Sequence, residues 1–321
     1  MAIDLLNLEP TTISRDLKGK YICLFGKPKV GKTTFAVQAP RNLLIAFERG
    51  YNAIAGIKAV DIQKWADFKM VLRQLEKPEV QAMYDTISLD TVGIMWEMCE
   101  AYVCAQNGVQ KIGDIPWGGG YSACKKEFEQ CLRKITMLGY GLIIIAHVDT
   151  RLEKAADDTD VEIIGPAIPK RAYAIVNQLV DIIGYINVEY DSEGNSRRTL
   201  YTRSTPTVMA GSRFPHLPAK IPFGYKELTS ALATAIEQSG KIDGATIVDN
   251  HTFSEDDVRP FTETVEEGRA LWSSLIEQNP ANAEKIMKAV VRIFGHEMRL
   301  SEITEEQQDL FELLLLEMKT I

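Results

Sequence analysis

Residues 26–33 read Gly26-Lys27-Pro28-Lys29-Val30-Gly31-Lys32-Thr33, and they are the most informative part of the sequence about its fold class. It has the pattern G-x-x-x-x-G-K-[ST], in which glycine-permitted angles turn several backbone N–H groups toward one point at a helix N-terminus. The apolar run 21–25 precedes it and a helical pattern follows Gly31, so the strand, loop and helix of a P-loop are all present. We therefore predict that residues 26–34 bind nucleotide phosphates, against the alternative of an ordinary glycine-rich turn. The predicted ligands are Gly26, Lys27, Pro28, Lys29, Val30, Gly31, Lys32, Thr33 and Thr34.

Two side chains of this loop and one distant acid form a predicted Mg²⁺-ATP site. Lys32 is expected to reach the β- and γ-phosphates, and the Thr33 hydroxyl to hold Mg²⁺. Asp90 ends the apolar run 86–89, the position from which an acid completes the Mg²⁺ shell. Asp85, at the start of that strand, is the poorer candidate. A plain helix cap before Thr91 is the alternative role for Asp90.

Hydrolysis also requires a group that activates or orients water near the γ-phosphate. Glu48 follows the apolar run 43–47 and His147 follows the run 142–146. In a parallel sheet both would emerge at the same carboxyl edge as the P-loop and Asp90. The alternatives are a solvated Glu48 paired with Arg49 and a purely structural His147.

The remaining pattern predicts an α/β fold with a mostly parallel sheet and helices on both faces, because the strands are apolar on both sides. Helical stretches are expected at about 94–107 and 121–138, a long loop at about 150–170, and later strands with a hairpin turn at 191–195. The predicted domains are a core at 1–240, a polar linker at 241–258 and a small acidic helical module at 259–321. A capping box, Thr304-Glu305-Glu306-Gln307, opens its last helix.

The net charge of −8 is unevenly distributed. Residues 254–321 hold 15 Asp/Glu and 7 Lys/Arg, so residues 1–253 are neutral with 29 of each. Residues 195–226 contain six basic and no acidic side chains, which indicates a local basic surface.

Composition indicates the cellular compartment and the state of the cysteines. The chain is 45% hydrophobic, has no apolar run near the ~18 residues of a membrane span, and begins without a secretory pattern, so a cytoplasmic protein is expected. Five cysteines without a C-x-x-C pair indicate buried thiols; a distorted four-cysteine metal site is the alternative. The cysteines are Cys23, Cys99, Cys104, Cys124 and Cys131.

The order of P-loop, Glu48 strand, Asp90 strand and His147 strand resembles the RecA-like ATPase family. Four short motifs resemble, more closely, short RecA-like nucleotide-binding proteins of phages, a group that includes single-strand annealing proteins. The resemblance covers about residues 18–240, whereas the acidic helical tail departs from it. The motifs are Phe47-Glu48-Arg49-Gly50, Trp117-Gly118-Gly119-Gly120-Tyr121, Ala146-His147-Val148 and Ala210-Gly211-Ser212-Arg213.

The resemblance implies roles for individual residues. Glu48 would activate water, Asp90 would serve Mg²⁺, and His147 would sense the γ-phosphate. The family also inserts a basic residue into a neighbouring subunit's site, for which Arg203 and Arg213 are candidates.

In RecA-like proteins the loop after the sensor contacts DNA, which would involve Arg151, Lys154, Lys170 and Arg171, although acidic residues at 157–162 oppose this. Aromatic residues of the basic stretch suit stacking on single-stranded bases, while a core role is the alternative. They are Tyr201, Phe214, Phe223 and Tyr225.

Three functions follow as hypotheses. The first is an oligomeric ATPase, ring or filament, that binds single-stranded DNA in phage-type recombination or annealing. The second is a nucleotide-dependent loader or regulator whose protein partner docks on the helical tail. The third, a P-loop kinase of small metabolites, is disfavoured because no arginine-rich lid is recognisable.

Overall fold

The computed structural model describes residues 12–15, 17–154, 158–190, 192–242, 244, 246–248 and 261–321. They form two compact units, one within residues 12–248 and one at residues 261–321. The elements of the first unit are β1 (Thr12–Ser14), β2 (Tyr21–Gly26), α1 (Lys32–Ala36), β3 (Asn42–Ala46), β4 (Ala59–Asp61), α2 (Trp65–Leu75), α3 (Pro78–Gln81), β5 (Thr86–Asp90), α4 (Val92–Gln106), α5 (Gly119–Met137), β6 (Gly141–Lys154), β7 (Asp160–Pro166), α6 (Lys170–Leu179), β8 (Ile182–Tyr190), β9 (Ser196–Tyr201), β10 (Gly211–Ser212), β11 (Lys220–Pro222), α7 (Tyr225–Ile242) and β12 (Thr246–Val248).

Within the described residues, one ten-stranded sheet organises the first unit. Its order is β11-β9-β8-β2-β6-β5-β3-β4, with β10 paired to β8 and β7 paired to β6. The six strands from β8 to β4 are mutually parallel, whereas β7, β9, β10 and β11 pair antiparallel. The prediction of a mostly parallel sheet is confirmed.

Helices cover both faces of the sheet, as predicted. On one face, α2, α4, α5 and α6 contribute large buried side chains such as Trp65 and Phe128. On the other, α1 and α7 contribute Phe35 and Leu232. Strands buried on both faces read as continuous apolar runs, which explains why β2, β3, β5 and the first half of β6 are legible in the sequence.

The cysteines are thiols buried in this core. All five are free and buried, and burial raises the pKa of Cys23 to about 12. The Cys99 Sγ lies 3.8 Å from the Cys124 Sγ, between α4 and α5. The prediction of buried thiols is therefore confirmed.

The loop predicted at about 150–170 is instead largely a hairpin. Strand β6 continues from the buried run through Lys154, and β7 returns beside it, with Val148 opposite Pro166 and Lys154 opposite Asp160. The loop prediction was wrong because much of this ribbon carries charged and polar side chains and lacks the apolar run that marks a buried strand.

The predicted linker at 241–258 also differs from the structure where the structure describes it. Helix α7 continues to Ile242, and Thr246–Val248 forms a parallel pair with Thr12–Ser14. That pairing joins segments more than 230 residues apart, so no local pattern reveals it. The remainder, 249–258, lies outside the described residues.

The second unit consists of α8 (Phe261–Gln278), α9 (Asn282–Phe294) and α10 (Gln308–Met318). These helices bury one apolar cluster, which includes Leu275, Ile286 and Phe311. The predicted capping box is present, with Thr304 and Gln307 exchanging side-chain and backbone contacts across a short 3₁₀ turn before α10. Over the parts of the chain that the structure describes, no helix combines the length and apolarity that crossing a bilayer requires.

Candidate active site

The P-loop backbone is shaped by two glycines that follow β2. A Cβ on Gly26 would lie 2.9 Å from the backbone oxygen of Ile186 and 3.1 Å from its Cβ, so only glycine fits between β2 and β8. Gly31 has a φ of +97°, which L side chains rarely adopt, and it immediately precedes α1. The loop therefore turns into the first turn of α1, which orients its N–H groups as an anion site requires.

Lys32 lies inside this loop. Its Nζ donates to the backbone oxygens of Gly26 and Lys27, each at 2.9 Å. Burial lowers the pKa of Lys32, while the carboxylates of Asp90 and Glu48 act in the opposite direction. The ammonium is thus placed where phosphate oxygens would compete with two loop carbonyls for its protons.

Thr33 and Asp90 are in direct contact across the sheet edge. The Thr33 Oγ1 donates to the Asp90 Oδ2 at 2.6 Å, and Asp90 is only 3% exposed. Burial raises the pKa of Asp90, and the Thr33 hydrogen bond and the Lys32 charge partly offset this. A hydroxyl and a carboxylate oxygen side by side are the hard ligands that Mg²⁺ prefers, so the residues present fit the ion.

The alternatives for this acid do not match the structure. Asp85 binds the Arg41 guanidinium and pairs with Lys18, contacts that hold its pKa below the usual range. It stands at the start of β5, at the opposite end of the strand from Asp90. The Asp90 carboxylate makes its hydrogen bond to Thr33 rather than capping α4.

Strand register brings Glu48 and His147 to the same edge. Residue 46 pairs with Asp90 and residue 26 with His147, and the Glu48 N–H donates to the Asp90 carbonyl oxygen at 3.2 Å. The Glu48 Oε2 and the His147 Nε2 lie 3.3 Å apart. Arg49 pairs with Asp61 instead of Glu48. Glu48 is therefore held by the imidazole beside the P-loop, and its role in hydrolysis stays a prediction.

His147 joins the site through one ring nitrogen. Its Nδ1 is buried and has no hydrogen-bond partner among the residues that the structure describes. A buried ring nitrogen without a partner is costly in an ordinary core, and such groups concentrate at functional positions. This observation favours a functional position for His147 over a structural one.

Arg203 and Arg213 lie away from this chain's own phosphate loop. Arg203 donates to the backbone oxygens of Ser212, Phe214 and Pro215. Arg213 pairs with Asp181 at 3.1 Å and donates to the Gln178 oxygen, next to the start of β8. The P-loop lies at the other end of the parallel strands. Arg203 and Arg213 could therefore reach a bound phosphate only in the site of a neighbouring subunit.

The basic residues proposed for DNA contact are mostly engaged within the chain. Arg151 donates to the backbone oxygens of Pro166 and Ile168, closing the base of the β6–β7 hairpin. Lys154 pairs with Asp160 at 3.1 Å and lies 3.8 Å from Asp158. Acidic side chains of the hairpin therefore neutralise the charge of Lys154 locally.

Two other candidates for DNA contact lie at the start of α6. The Arg171 guanidinium lies 4.2 Å from the centroid of the Tyr121 ring, on α5. Lys170 is exposed beside it. Arg151, Lys154 and Arg171 each contact another group of the chain, whereas no hydrogen bond, ion pair or ring contact of Lys170 is found among the described residues.

The aromatic residues of the basic stretch are largely packed against other rings. Phe223 is buried and stacks on Phe35 with ring centroids 5.4 Å apart, and Tyr225 contacts the same ring at 5.5 Å. Tyr201 contacts Tyr185 at 5.8 Å. The expectation that these rings stack on bases is wrong for Phe223, because it lies in the core between α1 and the sheet.

Arg198 contacts the P-loop, which the sequence-based interpretation missed by assigning it to the basic stretch alone. Its Nη1 donates to the Val30 oxygen at 3.1 Å, and its guanidinium lies 5.8 Å from the Phe223 ring centroid. A Cβ on Gly31 would be 2.8 Å from the same Nη1. No signal in the sequence indicated this contact, because it depends on the register of β9 on β8 and of β8 on β2.

Comparison with known proteins finds a family and a relative that match this chain. Residues 18–214, which include the P-loop, Glu48, Asp90 and His147, match the AAA domain family. The SPbeta prophage-derived uncharacterized protein YorG of Bacillus subtilis (strain 168) is 30% identical over 311 residues, covering 95% of this chain and 89% of the relative.

Proposed function

The chain belongs to the AAA domain family of P-loop ATPases, and on that premise we propose that it is a Mg²⁺-dependent ATPase that binds single-stranded DNA as an oligomer in phage-type recombination or annealing. The observation that carries the ATPase part is the 2.6 Å contact of Thr33 with Asp90 beside the Glu48–His147 pair. The prophage-derived relative supports the phage setting, with the host cytoplasm as compartment.

Each residue of the site has a distinct part in this proposal. The N–H groups of residues 26–34 and the Lys32 ammonium bind the phosphates, and Thr33 and Asp90 hold Mg²⁺. When bound, Mg²⁺ supplies positive charge against the phosphates. Glu48 accepts a proton from the attacking water, and His147 orients the Glu48 carboxylate through the 3.3 Å contact.

Oligomerisation would complete the site. Within the described residues, the arginine nearest the P-loop, Arg198, binds a loop carbonyl. An arginine that stabilises charge on the γ-phosphate would come from a neighbouring subunit, and Arg203 and Arg213 are the proposed candidates. The Arg213 side chain is 57% exposed, which supports its availability to a second subunit.

The DNA-binding part rests on charge. Residues 195–226 carry six basic and no acidic side chains, and the net acidity of the chain belongs to residues 254–321. Exposed basic side chains release counterions from a phosphate backbone, so binding would weaken steeply with salt. In the structure Arg213 lies at the start of β8, and Arg197 pairs with Glu189 near its end.

The decisive experiment measures ATP hydrolysis and oligomer size with and without single-stranded DNA at low salt. We expect DNA to change one of the two, and Lys32→Ala to abolish hydrolysis. Lys125→Ala, an exposed lysine on α5, is the matched control. Hydrolysis and oligomer size that are both indifferent to DNA would refute the DNA-binding proposal, and hydrolysis that survives in Lys32→Ala would refute the ATPase proposal.

The alternative is a nucleotide-dependent loader or regulator whose partner docks on the helical tail. It is favoured by an apolar row on α10, where Leu310, Leu313 and Leu316 are 37%, 54% and 50% exposed. Slow hydrolysis unaffected by DNA, with ATP-dependent capture of a protein that Leu313→Ser abolishes, would support it. Hydrolysis stimulated by DNA in both wild type and Leu313→Ser would count against it.

A further inference from the structure

A cleft with an apolar floor lies between helices α5 and α6, and we call it the α5–α6 cleft. Its volume is ≈ 240 Å³, and its apolar lining consists of Leu132, Ile175 and Leu179. Leu132 and Ile175 are 0% and 5% exposed and belong to the core, so they form a fixed floor. The volume lies below the range of about 300–1,000 Å³ that small-molecule sites occupy. The cleft therefore suits a single side chain that projects from a larger partner.

The α5–α6 cleft lies at the amino edge of the sheet, away from the P-loop. Arg213, which lines it, donates its N–H to the Asp181 oxygen, and the Asp181 N–H donates to the Tyr21 oxygen. Tyr21 is the first residue of β2, whereas Gly26, the first residue of the P-loop, is the last. The cleft and the phosphate loop are thus at opposite ends of one strand, so a partner in the cleft would not compete with a nucleotide.

The rim of the α5–α6 cleft is basic. Arg133 and Arg213 line it, with one acidic side chain, Glu129. An adjoining depression of ≈ 300 Å³ along α5 shares Arg133 and Glu129 and adds two exposed lysines of that helix. With Asp181, which pairs with Arg213, the surface has four basic and two acidic side chains. The excess of positive charge favours an acidic partner.

Both arginines of the rim retain donors for a further carboxylate. Arg133 donates to the Glu129 Oε1 from its Nε at 2.9 Å and from its Nη2 at 2.7 Å. The Nη1 of Arg213 donates to the Asp181 Oδ1 at 3.1 Å, and its Nη2 donates to the Gln178 oxygen. A guanidinium has five N–H donors, so these contacts hold each arginine in place and leave it able to bind a carboxylate of a ligand.

We propose that the α5–α6 cleft binds an acidic segment of a protein partner, with one large aliphatic side chain on the floor and carboxylates on Arg133 and Arg213. An acidic peptide with an aliphatic anchor satisfies both the apolar floor and the basic rim. A nucleic acid supplies the negative charge but no aliphatic side chain. Base stacking would require an aromatic ring, and none is among the described residues that line the cleft or the adjoining depression.

The test compares three short anionic probes on the full chain. They are a fluorescent aspartate-rich peptide with a single leucine at its centre, the same peptide with alanine in place of leucine, and an oligothymidylate of equal charge. Fluorescence anisotropy at low salt measures the affinity of each. We expect the leucine peptide to bind about 10- to 50-fold more tightly than the alanine peptide, because only leucine fills the apolar floor.

Three variants locate the binding. Arg133→Glu reverses a charge of the rim and should weaken binding of the leucine peptide by about 5-fold or more. Gln178→Trp fills the cleft from the exposed end of α6 and should make the two peptides bind alike. Lys241→Glu is the matched control, since it changes the net charge as Arg133→Glu does but lies on α7, on the other face of the sheet. It should bind both peptides as the wild type does, and thermal unfolding checks each fold.

Several outcomes would overturn the inference. One is equal binding of the leucine and alanine peptides by the wild type, a comparison that decides even if Gln178→Trp does not fold. Another is leucine-peptide binding that folded Arg133→Glu leaves unchanged. Oligothymidylate that binds more tightly than the leucine peptide, and loses its binding in Arg133→Glu, would assign the surface to nucleic acid. None of these results depends on the P-loop, so the proposed function is tested separately by Lys32→Ala.

Discussion

Replacing Gly26 with alanine tests the close contact on which the P-loop depends. The added Cβ would lie 2.9 Å from the Ile186 oxygen, 3.1 Å from the Ile186 Cβ and 3.4 Å from the Val30 Cγ2. The nearest atom is backbone, held by the pairing of β8 with β2, so it cannot rotate away as a side-chain end could. The strands must separate or the loop must shift.

The expected loss of stability follows from two opposing effects. Overpacking a well-packed site costs about 1–3 kcal/mol. Alanine also lowers the conformational entropy of the unfolded chain. This stabilises the folded state by about 0.4–1 kcal/mol where the backbone angle suits alanine. The net loss is about 1–2 kcal/mol, which lowers the Tm by about 2–8 °C for a unit of this size. ATP binding should fall as well, since residue 26 begins the phosphate loop.

Gly211→Ala is the matched control for this experiment. A Cβ there meets no atom within 4 Å, and the φ of Gly211 lies outside the range that L side chains avoid. Its Tm should therefore equal or exceed that of the wild type. Thermal unfolding followed by circular dichroism compares the two variants. A Gly26→Ala variant as stable as Gly211→Ala would refute the steric argument.

Three other predictions concern the site. Burial raises the pKa of Asp90 in the folded chain, so the stability that its protonated form contributes is present at low pH and is lost as the pH rises through that raised pKa. Without nucleotide, Asp90→Asn should therefore have a higher Tm than the wild type near pH 8, and this gain should vanish below about pH 3.9, while stabilisation by Mg²⁺-ATP is lost. Arg198→Ala removes the hydrogen bond to Val30 and should weaken ATP and tripolyphosphate binding together, by about 5-fold for about 1 kcal/mol, as calorimetry would show. Glu48→Gln should lower the hydrolysis rate by about 10²- to 10⁴-fold and leave ATP binding intact, measured by phosphate release and calorimetry.

Each of these three predictions would be contradicted by a specific result. An Asp90→Asn variant that is less stable than wild type near pH 8 would show that the ionised carboxylate is well accommodated. Loss of ATP binding alone in Arg198→Ala would place the arginine with the base instead of the loop. Undiminished hydrolysis in Glu48→Gln would assign water activation to another group.

The parallel core was predictable because its strands are buried on both faces. Such strands appear as apolar runs, and the residue that ends each run marks the carboxyl edge of the sheet. Glu48, Asp90 and His147 each follow such a run, so their convergence could be expected before any pairing was known. The 2.6 Å and 3.3 Å contacts among these groups and Thr33 match that expectation.

Features that depend on distant pairing could not be predicted in the same way. The contact of Arg198 with Val30 spans 168 positions and depends on the register of β9 on β8 and of β8 on β2. The β6–β7 ribbon has no apolar run, and β12 pairs with a segment near the other end of the chain. Local periodicity carries none of this information.

Strand β6 runs without a break from the candidate site into the β6–β7 ribbon. His147 stands where the strand leaves the parallel sheet, and the same strand continues for seven residues to Lys154, a span of about 23 Å at about 3.3 Å per residue. The antiparallel partner β7 stiffens that arm along its length. A rotation of about 5° at His147 would therefore displace the far end by about 2 Å over this span. The imidazole that contacts Glu48 is thus on the same strand as the far end of this ribbon, about 23 Å away along β6.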